Sequence, residues 1–155
     1  MIADTDRYHG AVLKQILVCA GKSLSMGIAD VAGRVDTFHV GQAAFQVKHS
    51  SKRLSPWQFT FLPDHVNELV LLGQTFAPVW SFFVCGHDGI VGLALEELLS
   101  ACGGYIAQPT ALRVSRARHE MYRIAIGGIE LSRPKPRGVE PFLAALSRVD
   151  GLNGQ

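Results

Sequence analysis

The feature that most constrains how this chain folds is a pair of segments, residues 35–40 and 43–49, in which apolar and polar residues alternate. Alternation with a period of two is typical of a β-strand with one buried face. Gly41 and Gln42 separate the segments, and a glycine in the first central position of a two-residue loop favours a type II′ turn. The sequence therefore predicts a β-hairpin.

The two-residue turn fixes which side chains of the hairpin share a face. It pairs Asp36 with Val47, and side chains that are paired across two strands project from the same face. Gln46 and Lys48 flank Val47, so they project from the opposite face. We therefore expect one apolar face that ends at Asp36 and one polar face that carries Gln46 and Lys48.

The remaining patterns predict an α+β fold with a single mixed, mainly antiparallel sheet. Apolar residues recur at three- and four-residue spacing in residues 7–20 and 64–73, which predicts two helices packed on the sheet. Residues 57–62 extend the hairpin into a three-stranded meander, and residues 77–85 and 90–95 form two further strands, so that the predicted order is α-βββ-α-ββ. Shorter segments complete the chain: strands at 25–31, 111–115, 121–125 and 129–131, and helices at 96–102 and 140–149.

The same periodicities predict which side chains form the core. Residues on the apolar stripe of a helix, or on the apolar face of a strand, are expected to be buried. The predicted core residues are Leu13, Leu17, Phe38, Phe45, Val47, Phe61, Leu69, Phe82, Val84 and Leu95.

Composition places the chain among globular proteins. With 155 residues, 48% apolar and 18% charged, it suits a single domain over residues 1–155 and is unlike a disordered chain. No apolar run approaches the ~20 residues that span a bilayer, and the amino-terminal residues are acidic and polar, so we expect no membrane partner. Cys19, Cys85 and Cys102 lack any close pairing and lie in apolar surroundings, which predicts buried reduced thiols and a cytoplasmic location.

Charge is distributed unevenly along the chain, although the net charge is only +2. Residues 1–61 carry seven Lys or Arg against four acids, residues 62–112 carry five acids and no Lys or Arg, and residues 113–155 carry eight Lys or Arg against four acids. The pattern is compatible with a basic face that binds a polyanion, but it slightly favours solvated surface charge.

Asp36 is followed ten residues later by Gln46-Val47-Lys48, within the α-βββ-α-β order of residues 7–86. In this respect the chain resembles the PD-(D/E)XK (restriction-endonuclease-like) nuclease superfamily. The resemblance implies that Asp36 and Gln46 are ligands of Mg²⁺ and that Lys48 is the catalytic lysine, which stabilises charge on the scissile phosphate.

Two features depart from the motif of that superfamily. Gln46 stands where an acidic residue is usual, which removes one formal charge from the metal site. The hairpin register also sets Asp36 on the face opposite Gln46 and Lys48, and Asp30 is the alternative acid. Both departures favour a protein that binds nucleic acid more than it cleaves it.

The loop after the second strand of the hairpin mixes cations, hydroxyls and aromatic rings. Lys52 and Arg53 suit contacts with phosphates, and Trp57 suits stacking on an unpaired base. An alternative is a solvated loop followed by a strand whose aromatic residues, Trp57, Phe59 and Phe61, are spaced two apart and belong to the core.

These patterns leave two main functional hypotheses. The first is a nucleic-acid-associated protein with a nuclease-like core, with DNA or RNA as its partner. The alternative is a non-catalytic protein-interaction module, with a homodimer or other homo-oligomer as one form of it. No arrangement of residues indicates an enzyme that acts on a small molecule, and the six histidines show no metal-binding spacing, so we expect them on the polar surface.

Overall fold

The computed structural model describes residues 1–29 and 36–153; the alternative acid Asp30 lies outside the described residues. It has the α+β class that the sequence predicts. The helices within these residues are α1 (Asp4–Ala20), α2 (Pro63–Leu72), α3 (Leu95–Ala101) and α4 (Glu140–Asn153). The strands are β1 (Met26–Ile28), β2 (Thr37–Val40), β3 (Ala43–Ser50), β4 (Trp57–Phe61), β5 (Val79–Cys85), β6 (Gly89–Ala94), β7 (Thr110–Ser115), β8 (Arg123–Ile126) and β9 (Ile129–Glu130).

The first sheet contains the predicted hairpin at its centre. Its strand order is β1-β2-β3-β5-β6, and β2 pairs with β3 in the predicted register, with Phe38 opposite Phe45. Gly41 has a φ of 57°, as the first central residue of a type II′ turn requires. β5 pairs with β3 in parallel, because the chain crosses back through β4 and α2 before β5 begins.

The prediction of one sheet with a three-stranded meander is wrong. β4 belongs to a second, antiparallel sheet of order β4-β7-β8-β9. It cannot extend the hairpin because both edges of β3 are occupied, by β2 on one side and β5 on the other. Phe59 and Phe61 instead pack on Phe83 of β5, with ring centroids 5.0 and 5.9 Å apart. β4 therefore packs against the face of the first sheet.

The core consists of two clusters, one on each face of the first sheet. One fills the space between the two sheets and contacts α2 and α3, and the other lies beneath α1 and α4. Most predicted core residues are buried, and Leu13 and Leu95 are partly buried. Leu17 is 46% exposed, so its prediction is wrong. The buried side of α1 is formed by His9, Val12 and Ile16, which turns Leu17 toward solvent.

The three cysteines differ in burial, and all three are free thiols. Cys85 is buried as predicted, but Cys19 is exposed and Cys102 is only partly buried, so the prediction of three buried thiols is wrong for these two. Cys19 follows Val18 on the solvent side of α1. Within the described residues, no helix combines the length and the apolar character needed to cross a bilayer.

Candidate functional site

β3 separates an apolar face from a polar face, and this separation positions the candidate site. Phe45 and Val47 belong to the cluster beneath α1 and α4. Gln46 pairs with Thr37 across the hairpin, and Lys48 is two residues further on the same face. The Lys48 ammonium reaches β4 and α2 on the other side of the sheet. The register therefore places Gln46 and Lys48 on one face, as predicted.

A cavity of about 320 Å³ lies at the end of this hairpin and brings the three motif residues together. It is bordered by α1, the residue before β2, and parts of β3, β4 and α2. Asp36 precedes Thr37, the first paired residue of β2, so strict alternation of faces no longer positions it. Asp36 therefore lines the same cavity as Gln46 and Lys48, although we expected it on the opposite face of the hairpin. The lining residues are Thr5, His9, Asp36, Gln46, Val47, Lys48, His49, Gln58, Phe59, Thr60 and His65.

The Lys48 ammonium is anchored at the wall of the cavity by three contacts. Its Nζ donates to the carbonyl oxygen of Thr60 at 3.1 Å, lies 2.9 Å from Nδ1 of His65, and sits 4.7 Å from the centroid of the Phe61 ring. An ammonium has no acceptor, so Nδ1 of His65 accepts from it, and the backbone N–H of Leu62 points at the same nitrogen at 3.3 Å. A positive charge is thus held in a defined place.

Gln46 supplies a buried acceptor that the rest of the fold does not use. Its side chain is 5% exposed, and Oε1 has no hydrogen-bond partner among the described residues. Ser81, its neighbour on β5, is equally buried, and its hydroxyl is also without a partner among those residues. An unsatisfied buried polar group costs about 1–3 kcal/mol, which points to a further ligand or ordered water at this place.

Three histidines border the cavity, which corrects the expectation that the histidines are dispersed over the polar surface. His9 is 9% exposed, and His49 stacks on Tyr8 with ring centroids 4.5 Å apart. Burial lowers the pKa of His9, and the charge of Asp36 opposes that shift in part. His9 and His65 come from helices whose separation in sequence gives no motif, so spacing could not identify them.

The donors around the cavity fit Mg²⁺ only as a weakly held, largely hydrated ion. Asp36 is the one carboxylate among the lining residues that the structure describes, and Oε1 of Gln46, which has no hydrogen-bond partner among those residues, is a further suitable oxygen. Mg²⁺ is usually held by one or two carboxylates and keeps several waters. In the described part of the chain, no three His, Cys, Asp or Glu residues are grouped as metal ligands.

The loop between β3 and β4 carries the predicted phosphate-binding cations. Lys52 and Arg53 are exposed, and Nζ of Lys52 donates to the carbonyl oxygen of Pro56 at 2.8 Å. Trp57 is 2% exposed, and its indole N–H donates to the carbonyl oxygen of Lys52 at 2.8 Å. The hypothesis that Trp57 stacks on a base is therefore wrong, because its ring is part of the core between the sheets.

A second polar cluster, which the sequence does not reveal, joins the turn after β5 to the end of β7. Arg116 binds the Asp88 carboxylate through two hydrogen bonds of 2.8 and 2.7 Å, and the Tyr122 hydroxyl donates to the same carboxylate at 2.5 Å. The hydrogen bond from Arg116 is the main cause that lowers the pKa of Asp88, and burial raises the pKa of Tyr122. Asp88 and Arg116 are 28 residues apart, so no local pattern could join them.

The chain was compared with family models, with curated proteins and with solved structures, and none of the three comparisons gave a match.

Proposed function

We propose that this protein associates with DNA or RNA through a nuclease-like core, and that it binds nucleic acid more than it cleaves it. The observation that carries the proposal is the shared cavity of Asp36, Gln46 and Lys48. These are the residues of the PD-(D/E)XK-like motif; Asp36 reaches the cavity from the residue before β2, and Gln46 and Lys48 reach it from β3.

The chemistry of the cavity suits a phosphodiester. The anchored Lys48 ammonium offers a fixed positive charge that can attract a phosphate oxygen. Asp36 and Gln46 would hold Mg²⁺, which when bound would neutralise charge on the phosphate. Cations on the neighbouring loop, Lys52 and Arg53, supply further attraction for the backbone.

The residues of the motif favour binding of nucleic acid over its cleavage. A site with one carboxylate and one amide oxygen carries one negative charge less than a site with two carboxylates, so it attracts Mg²⁺ more weakly. Binding of the phosphate backbone needs only the cations. We therefore expect nucleic acid to bind with slight sequence preference, because within the described residues no element has the form of a recognition helix or zinc finger.

The experiment is a binding titration with single- and double-stranded DNA and RNA, at low salt and at ~150 mM salt. We expect weak binding that falls steeply with salt. A plasmid-nicking assay with Mg²⁺ or Mn²⁺ compares the native protein with Lys48→Ala, and Lys22→Ala, an exposed lysine outside the cavity, is the control.

Absence of binding at low salt would overturn the proposal. The nuclease-like core would be supported if the native protein and Lys22→Ala both nick the plasmid and Lys48→Ala does not. The same result would contradict the claim that binding predominates.

One observation favours the alternative, a protein-interaction module. Tyr105 and Ile129 are 71% and 67% exposed and line a shallow cavity whose described lining contains no charged residue. If this surface joins two copies of the chain, light scattering after size exclusion should give a dimer, and Ile129→Ser should make it a monomer.

A further inference from the structure

The pairing of β4 with β7 creates a cavity that no sequence motif indicates. The strands are antiparallel, with Trp57 opposite Val114, so the loop before β4 lies beside the loop after β7. The two loops enclose a cavity of about 330 Å³, which is within the range of small-ligand sites. Arg53 comes from the first loop and Arg118 from the second, and both line this cavity.

The charge of the cavity is positive and largely uncompensated. Asp88 is the one acid in the described lining, and its two carboxylate oxygens are already bound by Arg116 and by the Tyr122 hydroxyl. Within the described residues, the guanidinium groups of Arg53 and Arg118 make no hydrogen bond or ion pair. Two arginines therefore face one small space without an anionic partner.

The walls of the cavity are joined by hydrogen bonds that hold the two loops together. The backbone N–H of Arg116 donates to the Ser55 hydroxyl oxygen at 3.1 Å, which links one loop to the other. Because Ser55 accepts this bond, its own proton remains to be donated. The Trp57 indole fixes the first loop through the Lys52 carbonyl. The two loops are thus held together, and two exposed arginines and a hydroxyl line the cavity between them.

We propose that this cavity binds a phosphate group through Arg53 and Arg118, with the hydroxyl of Ser55 as a further donor. Planar guanidinium groups match the oxygens of phosphate in a bidentate manner. The inference rests on the proposed function in one respect: the nucleic-acid backbone is the source of that phosphate. It adds Arg118, which is 65 residues from Arg53, to the binding surface.

The experiment observes the arginine Nε–H and Trp57 indole N–H resonances by ¹H–¹⁵N NMR during titrations at constant ionic strength. The probes are inorganic phosphate, acetate and a single-stranded oligonucleotide. We expect phosphate and the oligonucleotide to shift the Arg53 and Arg118 resonances, and acetate to shift them much less. The Trp57 indole should shift with them, since it borders the same cavity.

The double variant Arg53→Gln with Arg118→Gln should bind the oligonucleotide about ten- to a hundredfold more weakly, since one hydrogen bond to a charged group contributes roughly tenfold or more. The slope of log affinity against log salt should fall in magnitude by about 0.7 on a single strand, for one lost phosphate contact. Arg133→Gln, an exposed arginine outside this cavity, is the matched control and should leave both values unchanged.

The outcomes separate this inference from the proposed function. The phosphate site is refuted if the double variant and Arg133→Gln bind the oligonucleotide with equal affinity. Nucleic-acid binding still stands in that case, provided that the native protein binds the oligonucleotide. If inorganic phosphate shifts Arg53 and Arg118 but the oligonucleotide does not bind, the site stands with free phosphate as its ligand, and the proposed function is refuted. Equal shifts with acetate would refute a phosphate site.

Discussion

Phe45→Ala should remove a large part of the stability of this protein, because Phe45 lies at the centre of β3. Its side chain is fully buried, and its ring lies 5.2 Å from that of Phe82, 5.5 Å from that of Phe38 and 5.5 Å from that of Phe142. Truncating a buried Phe to Ala costs about 3–5 kcal/mol, and each aromatic pair adds roughly 0.5–1.5 kcal/mol beyond burial. We therefore expect a loss of about 4–5 kcal/mol.

A loss of this size is about a quarter or more of the ~5–15 kcal/mol by which native domains are stable. For a chain of this length it corresponds to a decrease in Tm of roughly 10–20 °C. The assay is urea denaturation followed by circular dichroism, in which the midpoint should fall while the m-value stays unchanged. Leu17→Ala is the control, because the structure leaves Leu17 46% exposed although its spacing matches the apolar stripe of α1.

The control variant should lose less than about 1 kcal/mol, as exposed positions usually do. A loss below about 1 kcal/mol for Phe45→Ala, or an equal loss in both variants, would show that the assignment of faces on β3 and α1 is wrong. It would also remove the basis for placing Gln46 and Lys48 on the polar side of the same strand.

Three further predictions follow from the site and its surroundings. Lys52→Ala combined with Arg53→Ala should weaken nucleic-acid binding at all sequences and reduce the salt slope by about 1–2, measured by titration at several salt concentrations. Asp88→Asn should destabilise the protein by about 1–3 kcal/mol at pH 7, because it removes the carboxylate that two donors bind. The pKa of Asp88 is lowered in the folded state, so this contribution is present above about pH 4 and is lost as the pH falls further. In the native protein a thiol reagent should label exposed Cys19 at neutral pH and spare Cys85, whose pKa is raised to about 12 by burial, until the chain is unfolded.

Each of these predictions has a result that contradicts it. Asp4→Asn removes a carboxylate that is 72% exposed and 3.9 Å from its arginine partner, so it should change stability by less than about 0.5 kcal/mol. A loss for Asp88→Asn that equals this control, or that does not diminish as the pH falls below about 4, would refute the role of the ion pair. Equal labelling of the two thiols would refute the burial of Cys85, and an unchanged salt slope would remove the cationic loop from the interface.

The parts of the fold that the sequence predicts well are those decided by nearby residues. The hairpin register follows from alternation on either side of Gly41, whose positive φ allows a two-residue turn. Phe59 and Phe61 are buried with Trp57, as their spacing on one strand face indicates. The hairpin register and the burial of these aromatic residues depend on local periodicity, so they can be predicted without knowing how the other strands pair.

The second sheet could not be predicted, because it depends on which strand pairs with the free edge of β3 in the folded structure. β5 occupies the free edge of β3 although β4 precedes it in the chain, so β4 must pair elsewhere. Sequence order favours the nearest strand as partner, and here that preference is overridden. Ion pairs between distant residues, such as Asp88 with Arg116, join residues that the packing of the two sheets brings together.

The displaced strand also explains why two cavities lie near each other. Gln58 and Thr60 of β4 line the cavity of the nuclease-like motif, and Trp57, at the start of the same strand, borders the cavity of Arg53 and Arg118. β4 thus lines both the cavity of Lys48 and the cavity of Arg53 and Arg118, because its pairing with β7 in the second sheet sets it against the face of the first sheet.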